Sequence, residues 1–274
     1  MDIRKRKRIN ISIAYFIMWL AGLLIYFIFQ SLVKVDLLNS VLIIVFETCL
    51  VLTLWIFFMI KIDWLKDVTT GKEIYHLNIS NILSSLRFIL IPLLIVLLGH
   101  INDLPANLYM KVIIFIFAVI VCFTDFFDGI LARKFNEVTR LGMVIDPFGD
   151  FLMITCFSVL LFLKGIITWW FFVFITIRIP ALLILMIIFL IVKFRFKLKT
   201  SFLGRATIFY TLVLLGLGTL KLFILNMPAL FDRILFYIQI GGCILIVLSS
   251  AEKIKLLIDY IKNQSKLEED EVEL

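Results

Sequence analysis

Four aspartates, Asp125, Asp128, Asp146 and Asp150, close a stretch of 26 residues that reads DFFDGILARKFNEVTRLGMVIDPFGD. Each pair sits at the end of an apolar run long enough to be a membrane helix, where an unpaired carboxylate costs about 2.5–3.5 kcal/mol. On a helix, Asp125 and Asp128 share a face with Gly129, Ala132 and Arg133; Asp146 and Asp150, four apart, share a face with Gly142. Four converging carboxylates are tolerable only if cations neutralise them. Oxygen-only ligands suit hard ions, and the stretch contains no His or Cys, so two Mg²⁺ or Mn²⁺ ions fit and zinc or copper does not.

The intervening residues, Lys134 to Leu141, are polar and basic enough for a solvent-exposed turn. The two flanking helices are therefore expected to be antiparallel neighbours with the acid pairs at one level of the bilayer. Gly129 and Ala132 remove bulk from the acidic face, so a large ligand can approach the backbone. Arg133 is a fixed cation suited to a phosphate or to the acids themselves. Metal, bare backbone and guanidinium together point to a substrate containing a diphosphate.

The spacing D-x2-D-G-x2-A-R-x8-G-x3-D-x3-D, filled by Asp125, Asp128, Gly129, Ala132, Arg133, Gly142, Asp146 and Asp150, resembles the signature of the CDP-alcohol phosphotransferases at all eight positions. Asn136, Thr139 and Pro147 also resemble common choices of that family. The resemblance implies a CDP-linked substrate whose diphosphate is bridged by the two metal ions, with Asp125, Asp128 and Asp146 as ligands. Asp150 would take the proton from the acceptor hydroxyl and could also touch a metal.

The composition fits a membrane enzyme. Of 274 residues 63% are hydrophobic and 17% charged, outside the range of water-soluble cores. The formal charge of +7 would suggest nucleic acid in a soluble protein; here Lys and Arg flank apolar runs, so lipid headgroups are the expected partner and nucleic acid is not. Cys49, Cys122, Cys156 and Cys243 lie in apolar runs without metal-type spacing and read as small buried hydrophobes. His76 and His100 are isolated.

The N-terminus places five basic residues, Arg4 to Arg8, before an apolar run from Ile11 to about Phe29, too long for a signal peptide; it reads as a retained, cytoplasm-facing start. A second run, about Ser40 to Ile60, ends in the interfacial KIDWLKD. The two form a hairpin outside the resemblance. Within it, Glu47 either faces a partner helix or snorkels outward.

After a polar linker comes LNISNILSSLRFILIPLLIVLLG, in which Asn81, Ser84 and Arg87 succeed one another at intervals of three and project along one side. It resembles the first core helix of the phosphatidylglycerophosphate-synthase-like branch, N-x-P-N-x-L-T-x-x-R, with Ser80 for the Pro and Ser84 for the Thr. Its polar groups are expected to hold the cytidine nucleotide or the acidic face. Asn81, Ser84, Gly129, Ala132, Arg133, Thr139 and Gly142 are thus the expected nucleotide and diphosphate contacts. Pro92 is expected to kink this helix.

Arg178 is a charge at membrane depth in a helix from Ile166 to Val192, and Ser201, Gly204 and Arg205 resemble the family's S-x-x-G-K element. Arg178, Ser201 and Arg205 are the expected contacts of the acceptor's phosphate. Members acting on glycerol 3-phosphate often carry an acid after the first of these arginines; here Ile179 follows. Members also more often read DP-x-A-D-K where this chain has Gly149 and Phe151. The best-matching reaction is transfer from CDP-diacylglycerol to glycerol 3-phosphate with release of CMP. Cardiolipin synthesis, or a CDP-choline or CDP-ethanolamine reaction onto diacylglycerol, remains open, as does a cation transporter using the acids as its ion site.

The expected fold is all-α: a polytopic membrane bundle of eight spans, comprising a hairpin (1–62), a cytoplasmic linker (63–77), a six-helix catalytic core (78–262) and an acidic, solvated cytoplasmic tail (263–274). With both termini cytoplasmic, the basic clusters fall on the cytoplasmic side, with Lys34, Lys164, Lys221 and Arg233 on the other. That places the acids at the cytoplasmic face of what is expected to be a bacterial inner membrane. Small-residue helix faces are compatible with a homodimer.

Overall fold

The computed structural model describes residues 3–32, 37–66, 73–74, 77–101, 108–134, 139–178, 202–224 and 227–272. Side chains at 3, 32, 37–38, 108, 125–133, 140, 143, 256–257 and 259–272 lie outside this description. Among the described residues the chain is all-helical: α1 (Ile3–Leu32), α2 (Leu37–Ile60), a 3-10 turn (Ile62–Trp64), α3 (Ile79–Gly99), α4 (Leu108–Lys134), α5 (Arg140–Leu163), α6 (Trp169–Arg178), α7 (Phe202–Phe223) and α8 (Ala229–Val272).

Six of these, α1, α2, α3, α5, α7 and α8, contain apolar stretches long enough to cross a bilayer, making this an integral membrane protein. The remaining two of the eight expected spans are described as shorter apolar helices. Tyr109–Thr124 stops where the acids of α4 begin, and Trp169–Arg178 runs to the edge of the described residues. The chain divides into two compact units, Met1–Cys156 and Phe157–Leu274.

In the first unit, α3 is the central element: two-thirds of its apolar window is buried, against about a quarter or less in α1 and α2. It packs against α1, α2 and α4. The hairpin is joined by hydrogen bonds that satisfy polar groups water cannot reach, as Trp19 Nε1 donates to Thr48 Oγ1 at 3.2 Å and Trp55 Nε1 to Ser12 Oγ at 3.1 Å. Tyr15 and Ser85 join α1 to α3 through their hydroxyls, 2.9 Å apart. Glu47 faces inward, only 2% exposed, and is accommodated because residue 22 is glycine: a Cβ there would collide with its Oε1 and with Ile89. Pro92 does not end α3, which continues to Gly99.

The basic run at the N-terminus is helical, so Arg4 and Lys7, three residues apart, point the same way. Arg4 pairs with Asp63 at 3.0 Å, and Lys7, nearly buried, pairs with Glu73 at 3.0 Å while donating to the Leu65 carbonyl at 3.4 Å. Lys66 meets the same Glu73 at 2.9 Å. The linker expected at 63–77 is thus anchored at both ends, with Leu65, Ile74 and Leu77 buried beside these pairs; residues 67–72 lie outside the description.

In the second unit, α5 ends in a Schellman turn: Gly165, at φ 67°, donates to Phe162 O at 2.9 Å and Ile166 donates to Leu161 O at 2.9 Å. Gln239 of α8 accepts from both the backbone N–H and the hydroxyl of Thr168, each at 2.8 Å, tying α8 to the start of α6. Gly242 lets Phe171 and Tyr210 press onto α8; a Cβ there would lie 2.9 Å from the Phe171 ring. The segment from 263 onward, expected to be a solvated acidic tail, is helical to Val272, because its Lys, Glu, Leu and Gln are good helix formers. At 44 residues and about 1.5 Å per residue, α8 is roughly twice as long as the bilayer core is thick.

Candidate active site on α3 and α5

Helix α5 opens with a side-chain cap. Thr139 Oγ1 accepts the N–H of Gly142 at 3.0 Å and donates its own hydrogen to Asn81 Oδ1 of α3 at 3.2 Å. Gly142 permits this approach, since a Cβ there would stand 2.9 Å from Asn81 Oδ1. Asn81, Thr139 and Gly142, read from sequence as nucleotide contacts, therefore first of all lock α3 to α5. Among the described residues, the Asn81 amide nitrogen is buried with no partner, so this residue keeps a donor for a ligand.

One turn further, Ser84 Oγ donates to Asp146 Oδ1 at 2.7 Å. The same hydroxyl lies 3.1 Å from the Ser80 carbonyl, but it has one hydrogen, and the shorter, charge-assisted contact takes it. Next comes Arg87, with no exposed side-chain surface. Its Nη1 is 3.4 Å from Asp150 Oδ1 and its Nη2 is 3.7 Å from Asp146 Oδ1. The two aspartates retain 36% and 41% of their side-chain surface. The cation is thus on the α3 side of the acids, which stay partly exposed.

Arg87 lies against Gly149. A Cβ at 149 would be 3.3 Å from the guanidinium carbon, tighter than most Cβ contacts, and 3.5 Å from Nη1, an ordinary contact. Gly149 gives the guanidinium a flat stretch of α5 to lie on. Arg87 was grouped by its spacing with Asn81 and Ser84; its service is to the acids.

Asp125, Asp128, Gly129, Ala132 and Arg133 lie on α4, which packs along α3, but their side chains are outside the described residues, and so is the convergence of all four acids. The described half carries two carboxylates against one guanidinium. Its net negative charge and oxygen-only donors fit a hard divalent ion.

Of the expected acceptor contacts, Ser201 is outside the description, Arg205 is exposed on the first turn of α7, and Arg178 is half-buried, its Nη2 without a partner among the described residues. Arg178 lies at a cavity shared with Ser250 and Ile254 of α8, and the charge of Lys253 on that helix is within electrostatic range of it. In the sequence a lysine just past an apolar run reads only as positive-inside flanking, so nothing there marks it. His100 closes α3 with Nδ1 3.0 Å from Val96 O, His76 is outside the description, and all four cysteines are free.

Comparison with known proteins bears on this arrangement directly. The model of the CDP-alcohol phosphatidyltransferase family matches residues 77–247. A CDP-diacylglycerol--glycerol-3-phosphate 3-phosphatidyltransferase of Aquifex aeolicus is 32% identical over 176 residues, 63% of this chain and 92% of the relative. A protein of the same name from Rickettsia typhi is 38% identical over 108 residues, 39% of this chain and 53% of the relative. A Mycobacterium tuberculosis protein named "Probable phosphatidylglycerophosphate synthase" is 30% identical over 149 residues, 53% of this chain and 67% of the relative. The chain spans about half the length of the Rickettsia relatives it matches. The matched region covers well over half of the chain and holds α3 with its polar row, the acid pairs of α4 and α5, and the glycines between them: the chain belongs to the CDP-alcohol phosphatidyltransferase family.

Proposed function

We propose that this protein transfers the phosphatidyl group of CDP-diacylglycerol to a small phosphorylated alcohol, glycerol 3-phosphate, releasing CMP. The observation that supports it is the row on α3: Ser84 and Arg87 hold Asp146 and Asp150 from the α3 side, and both acids keep more than a third of their side-chain surface exposed. A carboxylate pair fixed in place and still partly exposed is a pair prepared for a ligand. The names of the Aquifex and Rickettsia relatives support the choice of donor and acceptor.

Asp146 and Asp150, with Asp125 and Asp128 of α4, would hold Mg²⁺ or Mn²⁺. These ions would supply charge neutralisation at the donor's diphosphate. The remaining work falls to side chains of the chain itself. Ser84 fixes one oxygen of Asp146, and Arg87 fixes one oxygen of Asp150. Asp150 takes the proton from the acceptor hydroxyl, making the alcohol a sufficient nucleophile. Asn81, through its amide nitrogen, together with Gly129, Ala132 and Arg133, receives the nucleotide. The site lies at the cytoplasmic face of a bacterial inner membrane, with both termini on that side, as the distribution of Lys and Arg supports.

The test is an assay of the purified protein in detergent with CDP-diacylglycerol, Mg²⁺ or Mn²⁺, and radiolabelled glycerol 3-phosphate. Labelled lipid and stoichiometric CMP are the expected products. CMP release with phosphatidylglycerol but not glycerol 3-phosphate would assign cardiolipin synthesis instead, and absence of CMP release with every acceptor would overturn the reading.

A further inference from the structure

The N-terminal hairpin precedes the family-matched region, which begins at residue 77, and it carries a groove of about 610 Å³. Ser12, Tyr15 and Trp19 line it from α1, and Thr48, Leu52 and Trp55 from α2. Each set recurs at steps of three and four, so each is one stripe of its helix. The groove is preformed. Trp19 Nε1 donates to Thr48 Oγ1 at 3.2 Å and Trp55 Nε1 to Ser12 Oγ at 3.1 Å, pinning one wall to the other. Tyr15 and Ser85, with hydroxyls 2.9 Å apart, fix it to α3. With these polar atoms engaged, the groove offers hydrocarbon and ring faces. Leu52 is half-exposed and both helices are long enough to cross a bilayer, so the groove opens toward lipid tails.

The α1 stripe runs on into the basic N-terminal segment. Arg8 stands four residues before Ser12 and Lys5 three before Arg8, so both are on the groove's side of the helix. The join is direct: Ser12 Oγ, which accepts the Trp55 N–H, donates to the Arg8 carbonyl at 3.0 Å. Helical side chains lean toward the N-terminus, so the exposed Arg8 and Lys5 reach away from the tails to the level of the headgroups. The acids at that end are already engaged, Asp63 by Arg4 and Glu73 by Lys7, each at 3.0 Å. Arg6, two residues from Arg8, projects away from the groove.

We propose that this groove is a binding site for one anionic phospholipid of the surrounding leaflet, an acyl chain lying between α1 and α2 and the phosphate held by Arg8 and Lys5. The rise from Ser12 to Arg8 is about 6 Å, so the cations begin where an ester-linked chain gives way to its headgroup. Phosphodiester oxygens suit both the guanidinium fork and the ammonium. A zwitterionic lipid would bring its own cation beside these two, which selects against it. The site shares no residue with the Asp146 and Asp150 pair and does not depend on the transfer reaction proposed above.

The experiment is native mass spectrometry of the full chain in detergent with added phosphatidylglycerol or phosphatidylcholine. Wild type is compared with the double variant Lys5→Gln plus Arg8→Gln, with Arg6→Gln as an equally basic control on the other side, and with Leu52→Trp, which fills the groove without changing charge. Wild type is expected to retain one phosphatidylglycerol in preference to phosphatidylcholine. The double variant is expected to weaken that binding about 30-fold, the effect of two basic residues at an anionic surface, and Arg6→Gln to leave it unchanged. Leu52→Trp is expected to abolish it. Phosphatidylglycerol is also expected to raise the melting temperature of wild type and Arg6→Gln but not of the double variant. Wild-type retention in a folded double variant, equal loss in Arg6→Gln, or equal binding of phosphatidylcholine would overturn the proposal. So would a wild-type dimer that Leu52→Trp converts to monomer, which would assign the groove to a second copy of the chain.

Discussion

Arg87 and Asp150 are 63 residues apart in sequence and belong to different helices, yet the guanidinium lies 3.4 Å from the carboxylate with no side-chain surface of its own exposed. A buried arginine is stable only with acids in reach, and acids at this depth only with a cation, so each fixes the position of the other. Replacing Arg87 by Gln removes the charge and keeps the bulk. The expected outcome is a loss of about 10–100-fold in Mn²⁺ affinity, read by electron paramagnetic resonance titration of the purified protein, with a parallel loss of transfer.

Gly149 lies against that guanidinium, and its substitution grades the effect. With Ala, the guanidinium must retreat by a few tenths of an ångström from a Cβ 3.3 Å away; with Leu, it is expelled. Gly149→Ala is expected to keep most activity, whereas Gly149→Leu is expected to resemble Arg87→Gln. Equal activity of the Leu variant and wild type would show that the guanidinium has another place to go.

Asp150→Asn keeps the shape of the site and removes the base. Transfer is expected to fall by at least about 100-fold while CDP-diacylglycerol still binds, measured by single-turnover CMP release and by retention of labelled lipid.

How much of this was legible in the sequence can be judged from particular residues. The helices that carry the acids and the family were legible because charge in an apolar run is expensive and the gaps between the charges are fixed. The alignment of Asn81, Ser84 and Arg87 followed from helical periodicity, but not the division of labour in which Thr139 and Asn81 hold the helices and Ser84 and Arg87 hold the acids. That depends on which helix faces which. Lys253 was illegible for the same reason, since only packing brings α8 to α6. The linker's buried Leu65, Ile74 and Leu77 were hidden behind its polar composition.

Glu47 and Gly22 give a prediction about stability. A methyl group at residue 22 would collide with the Glu47 carboxyl, so Gly22→Ala is expected to cost about 1–3 kcal/mol through overpacking. Shortening the acid, in Gly22→Ala combined with Glu47→Ala, is expected to restore part of it, the contact with Ile89 remaining. Thermal melts of the two singles and the double in detergent would reveal this coupling, and additive losses would refute it.

Glu73 responds to pH with a definite sign. The hydrogen bonds from Lys66 and then Lys7 hold its carboxyl below the ordinary value of 4.5. Its contribution is therefore complete above that value and is lost as pH falls through the lowered one, releasing the ends of the segment that joins α2 to α3. Melting temperature is expected to drop on acidification in wild type more than in Glu73→Gln, which begins without the pairing.

The burial of α3 also bears on biogenesis. A helix that turns Asn81, Ser84, Ser85 and Arg87 toward protein is a poor independent customer for lipid, whatever the apolarity of the rest. Ribosomes deliver α1 and α2 first, and it is Tyr15 of that pair that meets Ser85. The leading hairpin can therefore act as an intramolecular docking partner during insertion, and a version truncated before residue 63 would send α3 into the bilayer with no neighbour to shelter its polar side.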